Sequence, residues 1–296
     1  MRVAVIGLGG VGGYIAAKLA LTEHEVVGFA RGAHLEAIVK SGLRIEEEKE
    51  SWHVNLDARK LEDADGYFDI VLFCVKSYDL MGAYEAISNY IDKDTVLLSI
   101  SNGVDNADVL RVLSDSLVLE GCAYILSHIS SAGVIRKKGD VFAIVFGGYE
   151  DASARMAKLC EDAGLRYKNP EEIKEAIWKK YIFICAFATA TSYYNNTIGY
   201  VMEHHKSEVK SLLQEIASVA KSKGIHIEDE IEKSLATAQK LPYDATTSMY
   251  LDYKNGKKTE LKSLSGYIVK EAAHQHIEVP TMKRFYKELK ERQATL

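Results

Sequence analysis

The fold is decided by the stretch Arg2-Val-Ala-Val-Ile-Gly7-Leu8-Gly9-Gly10-Val11-Gly12. Its apolar first part predicts a buried strand, and the residues from Val11 to Leu21 predict a helix. Between them stands a GxGxxG spacing, in which Gly7 allows a tight turn, Gly9 a close backbone approach to a pyrophosphate, and Gly12 close helix–strand packing. The pyrophosphate would rest on the positive end of the helix. We therefore predict that a dinucleotide is held by Gly7, Leu8, Gly9, Gly10, Val11 and Gly12.

Short β-branched runs alternate with helical patterns through the first half of the chain, which predicts βαβ units and a parallel, doubly wound sheet of the Rossmann type. The predicted strands are Arg2–Ile6, Glu25–Ala30, Asp69–Val75, Thr95–Ser99 and Leu117–Tyr124. Two further strands, Val134–Arg136 and Val141–Phe146, are predicted to form a hairpin around Lys137-Lys138-Gly139-Asp140. Antiparallel strands would then finish the sheet.

The second half of the chain is dominated by helical periodicity. Asn169-Pro170-Glu171-Glu172 predicts a helix start, with Asn169 as N-cap and Pro170 at the first helical position. The run from Tyr181 to Tyr194 is apolar but shorter than the roughly 20 residues that span a bilayer, which favours a buried helix over a membrane segment. We predict an α/β fold in which residues 1–168 form the dinucleotide-binding domain and residues 169–296 form an all-α domain.

Composition narrows the functional class. Among 296 residues, 37 are basic and 42 acidic, and this balance argues against nucleic-acid binding, which needs a basic face. The four cysteines lie far apart, without the spacing of a metal site or a disulfide framework. We expect no metal and a reducing, cytoplasmic location.

The end of the second predicted strand indicates the type of coenzyme. NAD-binding domains usually place an acid there to hold the ribose hydroxyls. Here the strand ends Val27-Gly28-Phe29-Ala30-Arg31, without an acid at its tip. The planar guanidinium of Arg31 suits a 2′-phosphate, so NADP(H) is the predicted coenzyme.

Three polar segments are candidates for the reaction centre. Val75-Lys76 and Ser101-Asn102-Gly103 each follow a predicted strand, at the sheet edge where open α/β folds bind ligands. Trp178-Lys179-Lys180 stands in a helix whose next turns are apolar. On its own, Lys180 would be interpreted as a lysine whose stem lies along apolar surface.

Taken together, these motifs resemble the ketopantoate reductase (2-dehydropantoate 2-reductase) family over essentially the whole chain. The matching segments are Gly7–Gly12, 31–35, 75–76, 102–103, 178–180, 248–252, 255–260 and 266–267. The resemblance implies reduction of a small 2-keto acid, ketopantoate, to pantoate with NADPH in pantothenate synthesis. It does not imply a membrane or nucleic-acid partner, and a homodimer is compatible with it.

The resemblance also implies roles for single residues. Lys180 would be the general acid that protonates the ketone oxygen. Asn102 would contact coenzyme and substrate, Lys76 the coenzyme, Ser248 the substrate carboxylate and Glu260 the nicotinamide ribose. Thr259 is expected to N-cap the helix that presents Glu260.

The chain departs from the family pattern where the family has substrate-contacting Asn residues. Ile184 and Ala188 replace two of them, one and two turns after Lys180, and Ile198 replaces a third, although Asn195 and Asn196 lie close by. Each lost amide removes a hydrogen bond worth about 1 kcal/mol. The alternative within enzymes is therefore a reductase of another, more apolar 2-keto acid.

Two other classes fit less well. A β-hydroxyacid dehydrogenase would carry Asn where Ile184 stands and would lack the Thr259-Glu260 segment. A non-catalytic NADP sensor would not need Lys180, Asn102 or the other proton-transfer groups.

Overall fold

The structure is a computed structural model that describes residues 1–294. The contacts divide the chain into two compact units. Unit 1 comprises Met1–Ser101 and Asp105–Ile173, and unit 2 comprises Asn102–Val104 and the chain from Lys174 onward. The domain boundary after residue 168 stays a prediction.

Unit 1 contains ten strands within the described part of the chain. They are β1 (Arg2–Ile6), β2 (Glu25–Phe29), β3 (Leu43–Glu46), β4 (Ser51–Val54), β5 (Asp57–Arg59), β6 (Ile70–Phe73), β7 (Val96–Ser99), β8 (Leu117–Ser131), β9 (Val134–Gly147) and β10 (Tyr167–Lys168). The helices of this unit are α1 (Gly10–Leu19), α2 (Gly32–Ser41), α3 (Leu80–Ile87), α4 (Asn106–Leu113) and α5 (Glu150–Asp162).

The strands form one sheet in the order β4-β3-β9-β8-β7-β6-β1-β2-β5, with β10 paired to β9. β1 lies between β2 and β6 and pairs with both in parallel. The chain therefore winds outward from β1 in both directions, through β2 and β5 on one side and through β6, β7 and β8 on the other. This topology confirms the predicted doubly wound sheet.

The central parallel strands β1, β6 and β7 are buried on both faces, as expected for parallel strands. Successive residues of β1 point to opposite faces, so that Val5 packs with Ile15 of α1 in one apolar cluster. Ile6 packs in the other cluster with Ile87 of α3 and Leu110 of α4. Because both clusters exclude water from β1, they fix the position of the glycine turn that follows it.

The hairpin predicted around Lys137-Lys138-Gly139-Asp140 is wrong in its turn. Val134–Arg136 and Val141–Phe146 are parts of the single strand β9, which pairs antiparallel with β8, and the chain reverses at Gly133, which has φ +74°. The four predicted turn residues lie inside β9: Lys137 pairs with Ser127, and the other three lie in an irregularity between this pair and the pair Ile125–Phe142. Four residues there oppose only Leu126, so the turn-like composition belongs to a bulge.

The secondary structure of unit 2 is helical throughout its described residues from Lys174 to Ala294, and the first of its helices begins at Ile173. Its helices are α6 (Ile173–Tyr194), α7 (Ile198–His204), α8 (Lys206–Ser222), α9 (Glu230–Lys240), α10 (Ser248–Lys254), α11 (Ser265–His274) and α12 (Pro280–Ala294). They share one apolar cluster, and α6 supplies fully buried residues such as Ile182 and Phe187 to it. The predicted all-α character is confirmed.

The predicted start of α6 at Asn169 and Pro170 is wrong by about one helical turn. Tyr167 and Lys168 pair in parallel with β9, which keeps the chain extended up to this point. The chain then leaves the sheet before it coils, and α6 begins at Ile173. Among the described residues, no helix is long and apolar enough to cross a membrane.

Candidate active site

The glycine turn between β1 and α1 has the geometry that close backbone approach requires. Gly7 has φ +97°, a backbone conformation that residues other than glycine rarely adopt. A Cβ on Gly12 would lie 2.1 Å from the Gly7 carbonyl oxygen, whereas a Cβ on Gly9 would meet no atom within 4 Å. The turn is thus tight on its inner side and open beside Gly9, at the positive end of α1.

His34 connects this turn to the β8–β9 reversal. Its Nε2 donates to the Leu8 carbonyl oxygen at 2.9 Å, and its Nδ1 accepts from the Gly133 amide at 3.0 Å. This arrangement needs the neutral ring, and burial lowers the pKa of His34 below its ordinary value of 6.5. His34 lies within a segment that matches the family pattern, but no sequence pattern predicted a role for it.

A second contact of the glycine turn was also missed. Gly10 faces the backbone of β8, and a Cβ at this position would lie 2.5 Å from the Ser127 carbonyl oxygen. The buried Ser127 hydroxyl has no hydrogen-bond partner within the described residues. No pattern in the sequence signalled it, because this close approach joins segments more than a hundred residues apart.

Arg31 lies directly after β2 and Ala30, and its side chain is 90% exposed. Its Nη2 lies 3.3 Å from Oδ2 of Asp79, a residue that the sequence reasoning did not single out. Asp79 closes a short 3₁₀ turn that begins after Lys76, and its amide donates to the Lys76 carbonyl at 2.8 Å. The ends of β6 and β7 are joined nearby, since the Ser101 hydroxyl donates to the Val75 carbonyl at 2.6 Å.

In unit 2 the structure brings Lys180 and Asn102 together. Lys180 lies in α6 and its Nζ donates to Oδ1 of Asn102 at 3.2 Å. Lys179 is different, because its Nζ forms an ion pair with Glu175 at 2.6 Å, and the hydrogen bond to Glu175 raises the pKa of Lys179. The two lysines therefore have distinct partners.

The helical stripe that contains Lys180 is apolar beyond the lysine. Ile184 is half-buried and packs against the apolar core of unit 2, while Ala188 is 2% exposed. Farther along α6, the Thr191 hydroxyl donates to the Phe187 carbonyl and accepts from Thr247 at 2.9 Å. Apolar surface and a hydroxyl pair thus follow Lys180 along the helix.

The remaining predicted residues lie on α10 and before α11. Ser248 is exposed and begins α10, whose N-cap Thr247 accepts from the Tyr250 amide at 3.2 Å. Glu260 is 2% exposed and lies in the turn before α11. The expectation that Thr259 caps the helix presenting Glu260 is wrong, because its hydroxyl accepts from Leu261 within that turn. Ile198, buried at 3% exposure, begins α7.

Within residues 1–294, no group of three or more His, Cys, Asp or Glu side chains could hold a metal ion. The four cysteines are free thiols, of which Cys122, Cys160 and Cys185 are buried.

Comparison with known proteins assigns the chain to a family. The model described as Ketopantoate reductase PanE/ApbA matches residues 3–151, and the model of its C-terminal part matches residues 172–293. The chain belongs to the ketopantoate reductase family. It is an oxidoreductase of that family, as its motifs predicted.

Three individual proteins are similar to this chain over nearly their whole length. An uncharacterized oxidoreductase, YkpB, of Bacillus subtilis is 28% identical, with 98% of each chain covered. A crystal structure of 2-dehydropantoate 2-reductase from Porphyromonas gingivalis is 34% identical, with a TM-score of 0.84 over 98% of this chain and 99% of that one. A ketopantoate reductase structure from Ralstonia eutropha is 28% identical, with a TM-score of 0.93 over 100% and 99%.

Proposed function

We propose that the protein catalyses the NADPH-dependent reduction of 2-dehydropantoate (ketopantoate) to pantoate, a step of pantothenate synthesis. Membership of the family supports the class of reaction. The observation that carries the proposal is the hydrogen bond from Lys180 Nζ to Asn102 Oδ1 at 3.2 Å. This hydrogen bond holds the Lys180 ammonium in place as a proton donor, whereas the Lys179 ammonium is ion-paired with Glu175.

The residues of unit 1 fit a dinucleotide. The open space beside Gly9 and the closed inner side at Gly12 suit a pyrophosphate on the glycine turn, Gly7–Gly12. Arg31 offers an exposed guanidinium for a 2′-phosphate, and Lys76 adds a second cation. Asn102 and Glu260 would complete the coenzyme contacts. When bound, NADPH supplies the hydride.

The protein's own groups then handle the proton and the charge. As the carbonyl carbon accepts the hydride, its π electrons move to the ketone oxygen, and Lys180 donates a proton from Nζ to that oxygen. Before transfer is complete, the ammonium stabilises the developing alkoxide. Asn102 orients Nζ through its amide oxygen, and the neutral amine regains its proton from water. Ser248 would hold the substrate carboxylate.

The stripe beyond Lys180 favours a second candidate substrate. Ile184 and Ala188 present no hydrogen-bond donor, and a keto acid without a hydroxyl group leaves nothing unpaired against them. A reductase of a more apolar small 2-keto acid is therefore the alternative. The Lys180–Asn102 hydrogen bond favours both enzymes over a coenzyme sensor, which needs no proton donor.

An activity screen tests the proposal. The purified protein is incubated with NADPH and a panel of 2-keto acids that includes ketopantoate and 2-ketoisovalerate, and coenzyme oxidation is followed by absorbance. Turnover of ketopantoate supports the proposed substrate, and turnover of the hydroxyl-free acids alone supports the alternative. NADPH binding without turnover of any keto acid would contradict catalysis and favour the sensor.

A further inference from the structure

The ion pair between Arg31 and Asp79 places a carboxylate on the side chain that is proposed to select NADPH. Arg31 Nη2 and Asp79 Oδ2 are 3.3 Å apart, and the partners come from opposite sides of β1, after β2 and β6 respectively. In NAD-binding domains an acid serves the ribose hydroxyls from the end of the second strand. Here a carboxylate reaches the same end of β2 from another segment.

Folding does not explain the orientation of this carboxylate. Asp79 is the N-cap residue of α3, a position at which Asp commonly accepts a hydrogen bond from the first helical turn. Its side chain makes no capping hydrogen bond and lies against Arg31 instead. An ion pair whose Arg side chain is 90% exposed contributes little to stability.

The backbone nevertheless fixes where Asp79 stands. Its amide donates to the Lys76 carbonyl at 2.8 Å, and its side chain is only 35% exposed. Arg31, by contrast, has a long and almost fully exposed side chain. The carboxylate is therefore the fixed partner, and the guanidinium is the one that can move.

We infer that Asp79 opposes Arg31 in coenzyme selection, so that the protein prefers NADPH only weakly and retains the use of NADH. This inference rests on the proposed function, specifically on Arg31 as the group for the 2′-phosphate. The Asp79 carboxylate pairs with the guanidinium that would bind the 2′-phosphate of NADPH, and its negative charge repels that phosphate. NADH has no phosphate at this position and is not affected. Removal of the carboxylate should therefore tighten the binding of NADPH but not that of NADH.

The test measures dissociation constants for NADPH and NADH by fluorescence titration, without turnover. Asp79→Asn is expected to tighten NADPH binding about 3- to 5-fold at low salt, the size of one exposed charge interaction, and to change NADH binding less than 2-fold. The gain should shrink at high salt because exposed charges are screened. Asp108→Asn is the matched control, since Asp108 also pairs with an exposed arginine, Arg111, at 3.0 Å in unit 1.

Each outcome separates the inference from the proposed function. An unchanged or weaker affinity of Asp79→Asn for NADPH overturns the inference, and so does equal tightening of both coenzymes. If Arg31→Ala leaves the ratio of the two affinities unchanged, the role of Arg31 in the proposed function is wrong, whatever Asp79 does. Wild-type protein that binds neither coenzyme would overturn both.

Discussion

Single residues set how the site responds to pH, and His34 is the clearest case. Burial lowers the pKa of His34 below 6.5 because the ring is removed from water, although the hydrogen bond to the Leu8 carbonyl acts in the opposite direction. The unfolded chain binds this proton more readily than the folded chain. The contribution of the neutral His34 ring to the stability of the folded protein is therefore complete above pH 6.5. It is lost as the pH falls through the lower pKa of the folded state.

His34→Gln removes the titration while keeping one donor and one acceptor in the side chain. We expect the wild-type protein to lose stability relative to His34→Gln as the pH falls below 6.5, by up to about 1.4 kcal/mol per pH unit. Thermal unfolding midpoints at several pH values measure the difference. His53→Gln, on the exposed strand β4, is the control. Parallel pH curves for the wild type and His34→Gln would contradict the role of His34.

The neighbouring lysines of α6 allow a sharp test of the proton donor. Lys180→Ala is expected to lower kcat by roughly 10²- to 10⁴-fold while NADPH affinity stays nearly intact. Lys179→Ala should be nearly silent, because it removes only a half-exposed ion pair with Glu175. Steady-state kinetics and coenzyme titration on both variants provide the measurement. A large loss in Lys179→Ala with a silent Lys180→Ala would show that the wrong lysine was chosen.

At the scale of elements, the central parallel strands follow from local patterns, but β3, β4, β5 and β10 were not predicted, and some strand and helix ends differ from the prediction. Lys137-Lys138-Gly139-Asp140 and the segment around Gly133 both have turn-like composition. Contacts with other strands decide which of the two segments forms the turn. Val134, directly after Gly133, already pairs with Arg44 of β3, and Ile135 is fully buried, so the chain must reverse before them. Lys137 itself is buried within 3.4 Å of Glu47, a residue ninety positions away that no local pattern indicates.

The start of α10, which carries Ser248, depends on a tertiary contact that can be measured. Thr247 caps this helix and also bonds the Thr191 hydroxyl of α6, whereas Thr197 caps α7 by its contact with Tyr200. Thr247→Ala should therefore cost about 1–2 kcal/mol, a cap plus a hydrogen bond, and Thr197→Ala about 1 kcal/mol. Urea unfolding followed by circular dichroism compares them. Equal losses in both variants would show that the Thr191 contact contributes nothing.

At the scale of the whole molecule, sequence sufficed for the fold because the period and order of apolar runs specify the sheet and the helices. It supplied the candidate residues too, but not their partners. Lys180 and Asn102 are 78 positions apart and Arg31 and Asp79 are 48 apart. Such contacts arise only when the packed elements bring distant segments together. The ion pair between Arg31 and Asp79 is an example, because it leads us to expect only a weak preference for NADPH.

Substrate selectivity is the property of the whole protein that the apolar stripe should control. Ile184 offers no donor for the hydroxyl group of ketopantoate, so we expect ketopantoate to be preferred only modestly over 2-ketoisovalerate. Ile184→Asn should widen that preference roughly 5-fold, the value of about one hydrogen bond. The measurement is the ratio of kcat/KM for the two acids. Ile231→Asn, at another partly buried position of unit 2, should leave the ratio unchanged. High selectivity for ketopantoate in the wild-type protein would contradict this prediction and would point to another donor, with Asn195 and Asn196 as the first to replace.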